Sequence, residues 1–325
     1  MEIAVSEDLG TLGDLTSQAL IPRGMRGRAS FCARQEGIIA GLLAVPACIS
    51  QIDPELKWFS CCQEGQLVEK GTKIGELVGP VLPMMMAERL LLNLLGRLCG
   101  IATQTRRFVN QIEGTGAKIY DTRKTTPGWR RLEKYAVRCG GGMNHRTGLF
   151  DAVMIKDNHL AFGLLPGYVL DSDHSENIAE KLQKTEKNSS CMEHRGDLFS
   201  PGESVCRAKS YLRRLMDEKK ALGIDEIFLN NQIPLVEIEI DTLEHLENVL
   251  SANPDIVLLD NMNLKMIRKA VQIRNQLQSV VELEASGGIT WDTVREVAET
   301  GVERISVGAL THSSISLDIG MDWEG

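Results

Sequence analysis

From residue 118 to residue 310 short apolar runs alternate with longer amphipathic stretches. Lys118–Thr122, Ala152–Asp157, Leu235–Asp241, Asp255–Asn261, Val280–Ser286 and Arg304–Leu310 read as strands. Thr242–Leu250, Leu264–Gln278 and Thr290–Thr300 carry their apolar residues at helical spacing. Strands alternating with helices predict an α/β fold with a parallel sheet, open or closed into a barrel. About six strands would make a partial α/β barrel, a smaller relative of the eight-stranded form. Before residue 83 the rhythm is different. Arg28–Arg34, Ile38–Ala40, Gln66–Val68 and Lys73–Val78 alternate with period two, and Glu36-Gly37 and Lys70-Gly71 mark turns. With one helix near Ala44–Gln51, this predicts a smaller, β-rich α+β N-terminal domain. The expected division is residues 1–100 for that domain and 101–310 for the barrel, with the tail 311–325 packing back on the first.

Pro83 opens a long helical run, MMMAERLLLNLLGRLCGIATQTRRFVNQI, with proline where a first turn tolerates it. Apolar residues cover it nearly all round, which implies burial between layers or at a subunit contact. Arg89, Asn93, Gly96 and Gly100 form one deviating stripe. A charge on a largely buried helix needs an anionic partner, either the neighbouring Glu88 or a ligand. Residues 164–203 break the pattern: they are polar, rich in Ser, Asn, Glu and Lys, and precede an amphipathic helix, Ser204–Leu222. A connection this long is either an unstructured insertion or a lid.

The 325 residues are 43% hydrophobic and 25% charged, with a net charge of -8. That acidity argues against nonspecific binding to nucleic acid or to an anionic membrane, so neither is an expected partner. Eight scattered cysteines show no C-x-x-C and no zinc spacing, which favours reduced thiols and a cytoplasmic protein. The N-terminus has no secretory pattern. The greasiest run, Leu90–Leu95, contains Asn93 and is too short to span a bilayer.

Against this acidic background, Tyr120–His159 concentrates positive charge. Arg123 and Lys124 follow one strand, Lys156 ends the next, and Asn144, His145 and Arg146 follow a Gly140-Gly141-Gly142 run. Residues at the carboxyl ends of parallel strands converge on one mouth, so these groups predict a pocket for a substrate with several negative charges. Arg130, Arg131 and Lys134 sit on the intervening helix, where a solvated charge face is the alternative. Two strands carry acidic faces: Glu237, Glu239 and Asp241 on one, Glu282, Glu284 and Ser286 on the other, with Asp260 ending the strand between. Inside a barrel such carboxylates need a cation, and oxygen-only ligands suit Mg²⁺ held partly through substrate phosphates. Ser286-Gly287-Gly288 before the Thr290 helix, and Gly308 followed by Thr311 and His312, read as phosphate cradles. Asp8 and Asp14 suit capping or turn duty. No nucleophile motif is present and Cys139 reads as packing, so the parts favour positioning and charge stabilisation over covalent catalysis.

The stretches DTRKTTPG, GGGMNHRTGLFDAVMIKDNH, VEIEID, LLDN, EASGGIT and AERLLLNLLGRLCGIAT closely resemble the quinolinate phosphoribosyltransferase (nicotinate-nucleotide pyrophosphorylase) family. The resemblance runs from EDLGTLGDLT to VGALTHS. It implies conversion of quinolinate and phosphoribosyl pyrophosphate to nicotinate mononucleotide, pyrophosphate and CO₂ with Mg²⁺, in NAD biosynthesis, by a homodimer or an assembly of dimers. By motif, Arg123, Lys124, His145, Arg146 and Lys156 would hold the quinolinate carboxylates and neighbouring phosphates, beside Thr122, and Arg89 would reach in from the partner subunit. Glu239 and Asp260 would serve Mg²⁺ and the ribose hydroxyls. Ser286, Gly287, Gly288, Gly308 and His312 would form the 5′-phosphate site. Lys124, Lys156, Glu239 and Asp260 are the expected catalytic set. The segment 164–203 has no counterpart in the family pattern. A ModD-like paralogous phosphoribosyltransferase with another substrate, a Schiff-base lyase using Lys156 and a nucleotide-sensing binding module are the alternatives.

Overall fold

The alternating run Arg26–Ala33 becomes a central strand in the computed structural model, which describes residues 2–162, 200–221 and 233–324. It lies in a four-stranded antiparallel sheet in the order Ile319–Glu324, Arg26–Ala33, Lys73–Pro80, Lys57–Ser60. Its inward residues Ala29, Phe31 and Ala33 have no exposed surface, and Phe31 meets the Trp58 ring edge-on at 5.2 Å. The outer two strands were not foreseen. Lys57–Ser60 is mostly exposed, so burial leaves little periodicity in it. Ile319–Glu324 carries two acidic residues in six, and Lys73 pairs with its Glu324 while Ser30 donates a hydrogen bond to it. Gly37–Ile38 pairs with Leu67–Val68 in a separate two-stranded sheet.

The long helix runs Val81–Gln111, two residues earlier than expected, because the extended Pro80 supplies its N-cap and leaves Pro83 within the first turn. Leu91, Leu94, Leu95, Leu98 and Ile101 are fully buried along it, each worth roughly 1.5–3 kcal/mol of apolar burial. The stripe through Gly96 and Gly100 is a close backbone approach. A Cβ on Gly100 would lie 2.1 Å from the Ile315 carbonyl oxygen, and one on Gly96 3.1 Å from that of Leu317. Near the N-terminus, Glu2–Leu9 and Leu15–Leu20 are helical. Asp14 caps the second by accepting from Ser17 N at 3.0 Å, and hydrogen bonds from the Ser17 hydroxyl and then its amide hold the carboxyl below the usual range. Asp8 sits exposed inside the first helix, away from a cap position.

The chain divides into two units, residues 1–148 with 287–325, and residues 149–286. In the first, Lys118–Tyr120 and Arg304–Ser306 pair in parallel, with Tyr120 bridging to Met143 and the Arg304 guanidinium 3.7 Å over the Tyr120 ring. In the second, Ala152–Ile155, Leu235–Ile240, Ile256–Asp260 and Glu282–Ser286 are parallel neighbours in that order. Ile256 to Leu259 are all buried, as a strand covered on both faces requires. Helices Leu246–Ser251 and Leu264–Gln276 follow two of these strands, and Asn263 caps the latter by accepting from Lys265 N and Met266 N. Six parallel strands, two in one unit and four in the other, beside a β-rich N-terminal part agree with the α/β expectation.

The helix expected from Ser204 begins at Pro201, where the Glu203 carboxylate accepts from Ser200 N at 2.7 Å, and runs to Ala221. The insertion expected at 164–203 otherwise lies outside the described residues. Among the described residues no helix is long and apolar enough to cross a membrane, and the seven described cysteines are free.

Candidate active site

In the first unit the cation loop hangs on Asp121, which follows strand Lys118–Tyr120 and has no exposed surface. Its Oδ1 accepts from His145 N at 2.8 Å and pairs with the Lys134 ammonium, and its Oδ2 accepts from Asn144 Nδ2 at 2.7 Å. Lys134 also donates to the His145 carbonyl at 3.0 Å, and Asn144 Nδ2 to the Lys134 carbonyl at 2.8 Å. Strand end, helix Arg130–Cys139 and segment 143–146 are thereby locked together. Burial pushes the Asp121 carboxyl up from its ordinary range while Lys134 pulls it back. These contacts overturn the solvated-face alternative for Lys134, which is 3% exposed. They overturn it for Arg130 too, whose guanidinium donates to Thr125 Oγ1 and the Thr147 carbonyl at 3.1 Å each; Arg131 stays exposed.

His145 is buried, and its ring state follows from one contact. The Arg146 amide donates to His145 Nδ1 at 2.7 Å, and an amide cannot accept, so Nδ1 carries no proton. The imidazole is neutral with hydrogen on Nε2. It enters the site as a donor, not as the cation that the charge count allowed.

Lys124 is placed by two hydroxyls. Its amide donates to Thr122 Oγ1 at 3.1 Å, and its carbonyl accepts from Thr311 Oγ1 at 2.7 Å, across 187 positions of sequence. Gly308 lies beside it: a Cβ there would sit 3.2 Å from Lys124 Cδ and 3.1 Å from His312 Nε2. Lys124, Gly308 and His312 thus meet, as the strand-end argument requires. Arg123 is half-buried, and its Nε is enclosed without a hydrogen-bond partner among the described residues. A guanidinium in that state calls for an anion.

The other expected residues of this unit fare unevenly. Gly287 and Gly288 both take positive φ, 89° and 61°, but the helix expected at Thr290 starts only at Val294. Thr290 and Thr293 close a local turn instead, with Thr290 N donating to Thr293 Oγ1 at 3.0 Å. The glycine pair therefore offers loop amides rather than a helix end. Arg89 is exposed, and the alternative ion pair with Glu88 does not form among the described residues.

In the second unit the register brings the acidic faces together. Glu239 is paired with Leu258, and Asp260 with Ser286, so Glu239, Asp260 and Ser286 point to one side near the strands' carboxyl ends. Lys156 follows Ile155, the partner of Ile238, and its ammonium forms an ion pair with Glu239 Oε2. Pairing with a carboxylate is the opposite of the apolar or cationic setting that activates a Schiff-base lysine, which argues against the lyase alternative. Asp260 is half-buried and accepts from Asn261 Nδ2 at 2.8 Å. Glu237 and Glu284 lie buried on the same face, whereas Asp241 and Glu282 are exposed. The donor set fits Mg²⁺: hard oxygens, few of them, and one already balanced by Lys156, so a metal here would complete its shell from substrate and water.

Asp121, Arg97 and Glu133 escaped the sequence reading, whereas Lys134 was placed on a solvated face and Asn144 and Thr311 were named without these partners. One signal was available. Glu133 and Lys134 share the inner face of their helix with Ala136 and Val137, three positions on, and all four are buried.

Comparisons with known proteins identify the family to which the whole chain is similar. Residues 14–99 match the model of the quinolinate phosphoribosyl transferase N-terminal domain, and residues 101–166 and 209–322 that of its C-terminal domain. A quinolinate phosphoribosyltransferase [decarboxylating] of Nicotiana glauca is 36% identical over 99% of this chain and 80% of its own length. A probable nicotinate-nucleotide pyrophosphorylase [carboxylating] of Bacillus subtilis is 36% identical over 97% of this chain and 89% of its own. Among solved structures, the nicotinate-nucleotide pyrophosphorylase of Francisella tularensis superposes with a TM-score of 0.73 at 31% identity, covering 99% of this chain and 94% of that one. The chain belongs to the quinolinate phosphoribosyltransferase family.

Proposed function

We propose that the protein transfers the phosphoribosyl group of phosphoribosyl pyrophosphate to quinolinate, giving nicotinate mononucleotide, pyrophosphate and CO₂ in NAD biosynthesis. Beyond family membership, one observation carries the reading: Lys124 meets Gly308 and His312 while the adjacent Arg123 holds a buried Nε without a hydrogen-bond partner among the described residues. A site for a dicarboxylate beside a phosphate needs such an arrangement. Arg123, Arg146 and the neutral His145, donating through Nε2, would bind the two carboxylates. Gly308 and His312, with the amides at Gly287 and Gly288, would take the 5′-phosphate. Glu239 and Asp260 would hold Mg²⁺, which when bound supplies charge neutralisation to the departing pyrophosphate.

The chemistry then needs no protein nucleophile. The bond from C1′ to pyrophosphate breaks with both electrons leaving on oxygen, and the pyridine nitrogen lone pair forms the new bond to C1′. The ring, now cationic, accepts electron density from its C2 carboxylate. CO₂ leaves, the pair stays on C2, and C2 takes a proton. Cations placed around the carboxylates orient the base for attack, and orientation is a large share of such catalysis. Lys156, paired with Glu239, would face the anionic substrates. In the same reading the protein is a cytoplasmic homodimer, and the exposed Arg89 serves the partner's site.

A steady-state assay with quinolinate, phosphoribosyl pyrophosphate and Mg²⁺, following nicotinate mononucleotide and CO₂, tests the assignment. Arg146→Ala is expected to lower kcat/KM by about a hundredfold or more, the scale of losing one charge-stabilising donor. Turnover of nicotinate or another base, with none of quinolinate, would assign the chain to a paralogous specificity.

A further inference from the structure

Arg97 lies on the long helix and Glu133 on helix Arg130–Cys139, and neither belongs to the substrate groups described above. Glu133 has no exposed surface, and Arg97 is 23% exposed. Arg97 Nε and Nη2 donate to Glu133 Oε1 at 3.1 and 2.8 Å. The remaining bonds of the pair point in two directions. Glu133 accepts from Thr126 N at 3.1 Å and from Thr126 Oγ1 at 2.8 Å, on the loop just past Arg123 and Lys124. Arg97 donates to the Ser314 carbonyl at 3.2 Å, to Ser314 Oγ at 3.1 Å and to the Thr311 carbonyl, on the segment that carries Gly308 and His312. A second connection runs parallel to it, from the Thr311 hydroxyl to the Lys124 carbonyl.

An ion pair whose other side-chain hydrogen bonds go to one of two loops fixes the separation of those loops. We propose that Arg97 and Glu133 are positioning residues that couple the carboxylate-binding loop 122–126 to the phosphate-binding segment 308–314, so that neither closes on its ligand independently. The identity of the two ligands rests on the function proposed above; the coupling itself does not.

Two readouts separate these. Hydrogen exchange of the amides of residues 124–126 and 311–314 is compared in wild type, Arg97→Lys, Glu133→Gln and Thr126→Val. Lysine keeps the charge but cannot span Glu133, Thr311 and Ser314 at once. Thr126→Val removes one surface hydroxyl and keeps the variant set informative if a buried change fails to fold. Coupling predicts that Arg97→Lys and Thr126→Val each accelerate exchange about tenfold or more in both stretches, since local opening is then shared. Acceleration confined to the stretch that the altered side chain touches overturns the proposal. In the kinetic arm, KM for quinolinate and KM for phosphoribosyl pyrophosphate should both rise, with kcat/KM down by about a hundredfold, as remote misplacement of binding groups does. A fall in melting temperature or active fraction with both KM values unchanged would make the pair merely structural. Wild type inactive on these substrates would sink the functional reading while the exchange data still decide the coupling.

Discussion

At the scale of single residues, a fully buried carboxylate persists at Asp121 because two N–H donors and one ammonium converge on it. Removing one member leaves the other charge buried and uncompensated, which costs about 3–5 kcal/mol. Lys134→Met is therefore expected to destabilise the protein by that order, read as a lower midpoint in urea at unchanged slope. The double variant Asp121→Asn with Lys134→Met should recover part of the loss, because a neutral amide in place of the carboxylate leaves no charge in need of a partner. A double variant less stable than either single one would mean that the network is held by its hydrogen bonds and hardly by its charges. The sequence displayed Arg123, Lys124, His145 and Arg146 plainly, because cationic and ionisable groups at strand ends have few structural uses. Asp121 and Lys134 were hidden for the opposite reason. They cancel each other in the interior, and a pair 13 positions apart leaves no mark in periodicity or composition.

At the scale of elements, the long helix shows which parts of a pattern can be read without coordinates. Its length and apolar girth predicted burial, and 14 of the 31 residues of Val81–Gln111 are buried while only four are exposed. The meaning of its glycine stripe could not be read, since a small residue opposite a ligand and one opposite another backbone look alike. The partner proved to be segment 315–317, roughly 220 positions away, folded back by strand Ile319–Glu324. Gly100→Ala should therefore destabilise by about 1–3 kcal/mol, the usual cost of forcing a methyl into a filled contact. Gly96→Ala, with 3.1 Å available in place of 2.1 Å, should cost less. Thermal unfolding of the two variants checks the order, and equal losses would show that helix and segment can shift apart. Five of the six parallel strands were legible to within two residues at either end, whereas the one expected over Arg304–Leu310 stops at Ser306 because Ala309–His312 is helical. The edge strand Lys57–Ser60 was missed because its exposed positions are under no demand to be apolar.

At the scale of the whole molecule, an acidic protein of net charge -8 is proposed to bind two polyanions, and its charges are arranged accordingly. The cations of the first unit cluster at Arg123, Lys124, Arg130 and Arg146, whereas the carboxylates nearest the strand ends of the second are already quieted. Glu239 is balanced by Lys156, and Asp260 is half-buried with an amide donor. Neither needs a metal for the fold to stand. That differs from a structural metal site, where the binding free energy is folding free energy and chelators denature the protein. Removing Mg²⁺ with a chelator should therefore abolish turnover while leaving the melting temperature within about 2 °C, less than about 1 kcal/mol of stability would move it. Magnesium should bind weakly to the protein alone and more tightly once phosphoribosyl pyrophosphate is present, since the substrate completes its shell. Titration calorimetry with and without that substrate reads the difference. Tight binding to the free protein, or unfolding on chelation, would show that Glu239 and Asp260 form a resident metal site and that Lys156 is displaced from its carboxylate when the ion is bound.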